Sequence, residues 1–368
     1  MLSTALIVEI LVFLIGLFVV MATLGSAVRS VVLPRGVPAQ LTQVVFRVVR
    51  LLFRLRAGRR PTYERSDKIL ALYAPSSLLI LVLVWETLVL LGYIAMFWAI
   101  GVRPLSKAFA VSGSSLLTLG IESGSGTLPT LLTFTEAALG LLLLALLITF
   151  LPSLYAAFSR REALVAMLEV RAGSPPSAGE MITRFHRIHG LDDLDEVWSR
   201  WETWFVEVEE THTSFPALTF FRSPQPDHSW VTAAGTVLDT AALRASTLDL
   251  PPEPDADLCI RAGYIALRRI AAFFRIPFDP NPAPTDPISV LRHEYDEVYD
   301  ALQRGGVPLK PDRDQAWRDF AGWRVNYDAV LLALATLTQA PMAPWSSDRS
   351  TTQRPHLFKG RRRLTRTG

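Results

Sequence analysis

Three apolar runs limit what this chain can become: Ala5 to Leu24, a stretch within Ile69 to Ile100, and Leu131 to Leu151. A bilayer core about 30 Å thick is crossed by about 20 mostly apolar helical residues, and each run meets that length. The first carries one charge, Glu9, has no basic residue ahead of it and exceeds the apolar length of a cleaved leader, so it reads as a retained anchor. The second would extend about 48 Å at 1.5 Å per residue, so it tilts or begins below the interface, with Pro75 near that end.

Residues 159–368 have a different composition, with most of the prolines and acidic side chains and all six histidines. The fold class that follows is an all-α membrane protein: three transmembrane helices with a re-entrant loop, then a cytoplasmic α-helical domain. Cys259 is the single cysteine, so no disulfide closes within the chain and no oxidising compartment is required. A net charge of +3 is too small to imply a nucleic-acid partner, since the positive charge gathers beside the apolar runs and at the C-terminal end.

Direction follows from those charges, because short cytoplasmic loops retain Lys and Arg. Between Gly25 and Lys68 stand ten basic residues against two acidic ones, Glu64 and Asp67. The next loop offers Arg103 and Lys107, and Arg160 and Arg161 follow the third run. The N-terminus is expected outside and the C-terminal domain in the cytoplasm of a multi-pass plasma-membrane protein. Within the basic loop, 29–68, Leu41 to Arg56 sets Arg47, Arg50 and Arg54 on one helical stripe with Val, Leu and Phe elsewhere, as in a helix lying in the interface; the alternative is a solvated basic linker.

Between the second and third runs, Gly101 to Pro129 is too polar to cross and too apolar for an exterior loop. Pro104 suits a first helical turn, Leu105 to Leu117 reads as a short helix, and a glycine-rich stretch, Ile121-Glu122-Ser123-Gly124-Ser125-Gly126, follows Thr118-Leu119-Gly120. Irregular backbone at membrane depth requires protein or water around it. A helix, a short run of carbonyls and a span are the parts of a pore loop.

On these residues the segment from about Ser77 to Arg161 resembles the pore domain of bacterial two-transmembrane potassium channels and their pore-loop relatives. The resemblance implies a pore domain over 69–160, with an outer helix at 69–100, a pore helix and filter-like loop at 104–127, and an inner helix at 129–158. It places Thr118-Leu119-Gly120 where that family has Thr-Val-Gly, and implies a homotetramer around one path for inorganic cations. Gly140 would be the inner-helix hinge, or a site of close helix packing.

The chain departs from the family where Ile121-Glu122-Ser123 replaces Tyr-Gly-Asp. Glutamate does not adopt positive φ as glycine does, so stacked carbonyl rings do not carry over unchanged, and weak cation selectivity is the expectation. Glu122 is either one of a ring of four carboxylates at the outer mouth or a solvated loop tip. Glu86 and Glu136 lie within the apolar runs, where ionisable groups need partners. Glu136 is placed behind the filter or near the outer interface, and Glu86 is expected to meet Ser114 or Ser115.

After Arg161 the helix is expected to continue through Leu168 until Gly173-Ser174-Pro175-Pro176 breaks it, so that the linker at 161–176 acts as a hinge into a helical domain at 177–339. Helical patterning recurs over Ser177–His189, Leu191–His212, Ser229–Thr247, Asp255–Ile276, Pro287–Arg304 and Asp312–Thr338, with Asp192 and Asp312 as candidate helix starts. Trp198, Trp201, Trp204 and Phe205 form a stripe that suits a core. His186 and His189 beside Asp192 and Asp193 have a metal-like spacing but no third ligand, and no phosphate loop or nucleophile motif occurs, so neither metal, cofactor nor enzyme activity is expected. A disordered basic tail is expected over 340–368. A non-conducting relative, anchoring a sensor or scaffold domain, is the competing functional reading.

Overall fold

The computed structural model describes residues 4–33, 40–57, 63–191 and 194–349, and among these all regular structure is helical apart from one antiparallel bridge between Leu248 and Leu309. The chain divides into two compact units, Met1–Ala156 and Ala157–Gly368.

The first unit contains α1 (Thr4–Val31), α2 (Gln40–Ala57), α3 (Tyr63–Ala71), α4 (Tyr73–Ala99), α5 (Leu105–Leu116) and the first part of α6 (Thr127–Ala172). Three helical stretches, Thr4–Val31, Asp67–Ala99 and Thr127–Ala172, are long and apolar enough to cross a membrane. In lipid, apolar side chains alone do not draw helices together, so close backbone approach and hydrogen bonds decide which pairs form. The α1–α4 pair has both. A Cβ added to Gly16 would lie 2.5 Å from the Gly92 carbonyl oxygen, and one on Gly92 2.8 Å from that of Gly16. Trp85 Nε1 donates to Ser26 Oγ over 3.3 Å, and Arg103 pairs with Glu9 at 2.6 Å. Glu9, the one charge of the first apolar run, is therefore one half of an ion pair.

The second unit holds the rest of α6, then α7 (Ala178–Arg187), α8 (Asp195–Ser214), a 3-10 turn at Pro216–Phe220, α9 (Trp230–Ser246), α10 (Pro254–Phe273), α11 (Arg292–Arg304), α12 (Arg313–Arg324) and α13 (Asp328–Thr338). Its centre is α9, buried along nearly its whole length. Such a helix must be apolar or small on every side, and Ala233, Ala234, Val237, Leu238, Ala241 and Ala242 meet that demand. The aromatic stripe of α8 packs into this core, with Trp201 and Trp204 ring centroids 4.7 Å apart.

As the sequence suggests, α6 continues past Arg161 and Leu168, ending at Ala172, and Arg161, Val165, Leu168 and Ala172 are buried in the second unit. Two segments differ from expectation. The single helix expected over Asp312–Thr338 is broken between α12 and α13, where the Asn326 amide donates to the Gly322 and Trp323 carbonyls and Arg268 binds the Asn326 carbonyl. These side chains serve the groups a continuous helix would have paired. Within the expected disordered tail, residues 340–349 are held in place: Arg349 makes paired bonds of 2.8 and 2.9 Å to Glu294, and Trp345 is buried. The remainder of that tail lies outside the described residues, as does Asp192.

Candidate functional site

The helix-loop-helix of the first unit gathers most of the residues that the sequence singles out. Pro104 caps α5, whose buried side carries Ala108, Val111, Ser112 and Ser115. Small hydroxyls on an apolar helix can turn toward a neighbour without widening the contact. Ser112 does so, placing its hydroxyl 2.5 Å from Glu136 Oε1 on α6 and 3.2 Å from the Leu90 carbonyl on α4. Glu136 is fully buried, and its Oε2 has no hydrogen-bond partner among the described residues. One residue earlier, Thr135 Oγ1 accepts a 3.0 Å bond from the Tyr93 hydroxyl. Three helices thus meet around one carboxyl group.

The end of α5 is tied down by its own hydroxyls and carbonyls. Thr118 N donates to the Ser115 carbonyl at 3.0 Å and Leu119 N to that of Ser114 at 2.8 Å. Ser114 Oγ then accepts from the backbone N–H groups of Ile121 and Glu122, at 2.9 and 3.0 Å. Thr118 and Gly120 both have positive φ, +53° and +66°. For glycine this costs little, whereas for threonine it is strained and is held by the surrounding bonds. Thr118, Leu119, Gly120, Ile121, Glu122 and Ser123 are all exposed on the single chain, and the Glu122 carboxylate makes no hydrogen bond or ion pair among the described residues.

Gly140 faces this same end of α5. A Cβ there would stand 2.4 Å from the Leu116 carbonyl oxygen, so the glycine lets α6 lie against the C-terminal end of α5. Of the two roles open in the sequence, close packing is the one with a contact behind it. Glu86 departs from expectation: it is half-buried on α4 and bonds neither Ser114, which holds the loop, nor Ser115, which donates to the Val111 carbonyl at 2.9 Å. The Ser112–Glu136 bond was not legible as a pair, although three serines at 112, 114 and 115 in an apolar helix signalled that hydroxyls were needed there.

The second unit has buried polar clusters of its own. Arg161, at the start of this unit, bonds Glu162, the Leu218 and Phe221 carbonyls and His212 Nε2, the last at 3.0 Å. Since a guanidinium only donates, His212 must accept through Nε2 and is neutral. Burial and then the Arg161 charge hold its pKa well below the ordinary histidine range. Burial alone would lower the pKa of Arg324, but the flanking carboxylates of Asp239 and Asp328 hold it above its usual value. Glu253, beside Arg244, is pushed up to about 7 by burial and by the neighbouring Asp195. Burial raises the Cys259 thiol far above its usual range, which leaves it an inert core residue.

Among the described residues no group of three or more His, Cys, Asp or Glu side chains is arranged to hold a metal ion; Asp192 and Asp193, paired in the sequence with His186 and His189, lie outside them. No protein-family model, no curated protein and no solved structure matches this chain.

Proposed function

We propose that the chain is the subunit of a homotetrameric pore-loop channel, cation-permeable with weak selectivity, whose conduction path is lined by Thr118 to Ser123 of four copies. One observation carries the reading: the loop after α5 is fixed from behind by Ser114, while its own side chains remain exposed on the single chain. A loop built to face a shared axis has this asymmetry, rigid on the protein side and open on the other. The resemblance to potassium-channel pore domains supports the same reading, with α4 as outer helix, α5 as pore helix and α6 as inner helix. Four copies of Glu122 would then form a carboxylate ring that concentrates cations at the mouth. The density of basic residues between α1 and α4 supports a cytoplasmic setting for that side, and with it for the C-terminal helical unit, of a plasma-membrane protein.

The second reading is a non-conducting scaffold that anchors the helical unit as a sensor. It is favoured by Ile121-Glu122-Ser123 standing where potassium channels have Tyr-Gly-Asp, an altered filter of the kind that loss of conduction would leave.

Recording from purified protein in planar bilayers separates the two. Reversal potentials in a salt gradient are expected to follow the cation, with small differences between potassium and sodium. Chloride selectivity, or silence in every condition from a verified tetramer, overturns the channel reading. A monomer or dimer in mild detergent removes the central path.

A further inference from the structure

We infer that α2 is a docking surface for anionic lipid: its outer apolar side chains enter the acyl boundary of the bilayer while its arginines hold lipid phosphate. The claim does not depend on conduction.

The helix has three sectors. One is committed to protein. Val45 and Val49 are buried, Phe46 and Phe53 meet the Tyr73 ring edge-on at centroid distances of 6.2 and 6.1 Å, and the Tyr73 hydroxyl donates to the Phe46 carbonyl. A second sector is apolar and uncovered: Val44, Val48, Leu51, Leu52 and Leu55 are 47–70% exposed, and their spacing of three and four residues places them on one side of the helix. Five large aliphatic side chains in a row facing water would make an unfavourable surface. The third sector carries Arg47 and Arg50 between the other two.

The occupant follows from where the helix is fastened. Tyr73 opens α4, and Ser30 of α1 lies 2.7 Å from Thr42 of α2, so α2 is pinned to the adjoining ends of two helices that are long and apolar enough to cross a membrane. A helix held at that level meets the boundary between headgroups and acyl chains, where an apolar face is buried and a basic flank faces phosphate. Charge selects the lipid. The segment from Gly25 to Lys68 has ten basic residues against two acidic, which favours an anionic leaflet over a zwitterionic one.

Native mass spectrometry of the full chain, purified in detergent with an equimolar mixture of phosphatidylglycerol and phosphatidylcholine, tests the selectivity. Phosphatidylglycerol adducts are expected to dominate. Each basic residue near such a surface is worth about 1 kcal/mol, or about a fivefold preference, so the double variant Arg47→Gln/Arg50→Gln should lose up to about 25-fold. Arg47→Lys/Arg50→Lys, which keeps both charges, should retain most of it. Equal retention of the two lipids by the wild-type chain overturns the proposal, as does a preference unchanged in the glutamine variant.

Depth is read separately. With Cys259 fully buried, a maleimide fluorophore reports on Leu51→Cys alone in protein reconstituted into vesicles of the same two lipids. Quenching by bromine or spin labels on the acyl chains is expected. Quenching by aqueous iodide only, or protection from both quenchers as under a second protein surface, overturns it.

Discussion

Ser112 of α5 donates a 2.5 Å hydrogen bond to the buried Glu136 carboxyl of α6, and this bond joins the short helix before the loop to the long helix after it. No other hydroxyl reaches Glu136 among the described residues, and its second oxygen has no partner. Replacing Ser112 by Ala leaves the whole carboxyl group without a donor, a change worth about 1–3 kcal/mol. Ser112→Ala should therefore lower the thermal midpoint in detergent, while Glu136→Gln, which preserves size and an acceptor oxygen, should lower it less. Equal midpoints for wild type and Ser112→Ala would show that the bond contributes nothing.

Gly140 and the Leu116 carbonyl make a second junction between the same helices. A methyl group at 140 has no room, because the atom it meets is backbone and cannot rotate aside. Gly140→Ala is expected to destabilise by about 1–3 kcal/mol and to displace the end of α5. Thermal unfolding measures the first effect. On the proposed channel reading, loss of the tetramer on size-exclusion chromatography, or altered unitary current, would report the second.

The Arg161–His212 contact makes the second unit sensitive to acid. The folded pKa of His212 is well below its unfolded value, so below about pH 6.5 the unfolded chain binds a proton that the folded chain refuses. Stability must then fall as pH falls, by at most about 1.4 kcal/mol per pH unit for this one group. Glu253 has the opposite sign: with a folded pKa raised to about 7, it favours the fold while protonated and withdraws that support as pH rises from about 4.5 through 7. The two are separable. Denaturant unfolding between pH 5 and 7, followed by tryptophan fluorescence, should lose its acid-side slope in His212→Gln, whereas Glu253→Gln should steepen it.

Arg324 is a fully buried charge of the second unit. It pairs with Asp239 and Asp328 and also donates to the Trp345 carbonyl, while Tyr327 donates to Asp239 at 2.8 Å. Removing the cation strands two carboxylates in the core, so Arg324→Met should cost about 3–5 kcal/mol. Adding Asp239→Leu removes one stranded charge, and the double variant should be more stable than Arg324→Met alone. Additive losses in a double-mutant cycle would show that the pair does not act as a unit.

The three apolar stretches, the short helix after Pro104 and most helices of the second unit were legible in the sequence, because hydropathy and 3.6-residue periodicity are local properties. Asp312 caps α12 as its position suggested, accepting a 2.9 Å bond from Gln315 N. The burial of Trp198, Trp201, Trp204 and Phe205 followed from their spacing. Asn326 was less transparent. Nothing local says that its side chain will end α12, since that depends on Arg268 arriving from another helix to hold its carbonyl.

Arg161 shows the same division. In sequence it is a basic residue following an apolar run, a charge that orients a span, but folding surrounds it with His212, Leu218 and Phe221 from more than fifty positions away. Glu136 likewise reads as an intramembrane acid in need of a partner, and only the packing of α5 against α6 selects Ser112 over Ser114 and Ser115. The chain by itself determined which segments are apolar enough for lipid and which glycines and serines stand near the loop, since composition and spacing suffice for that. Which carbonyl meets Gly140, which hydroxyl meets Glu136 and which carboxylates enclose Arg324 were decided by tertiary structure, because each joins residues whose proximity exists only once helices pack.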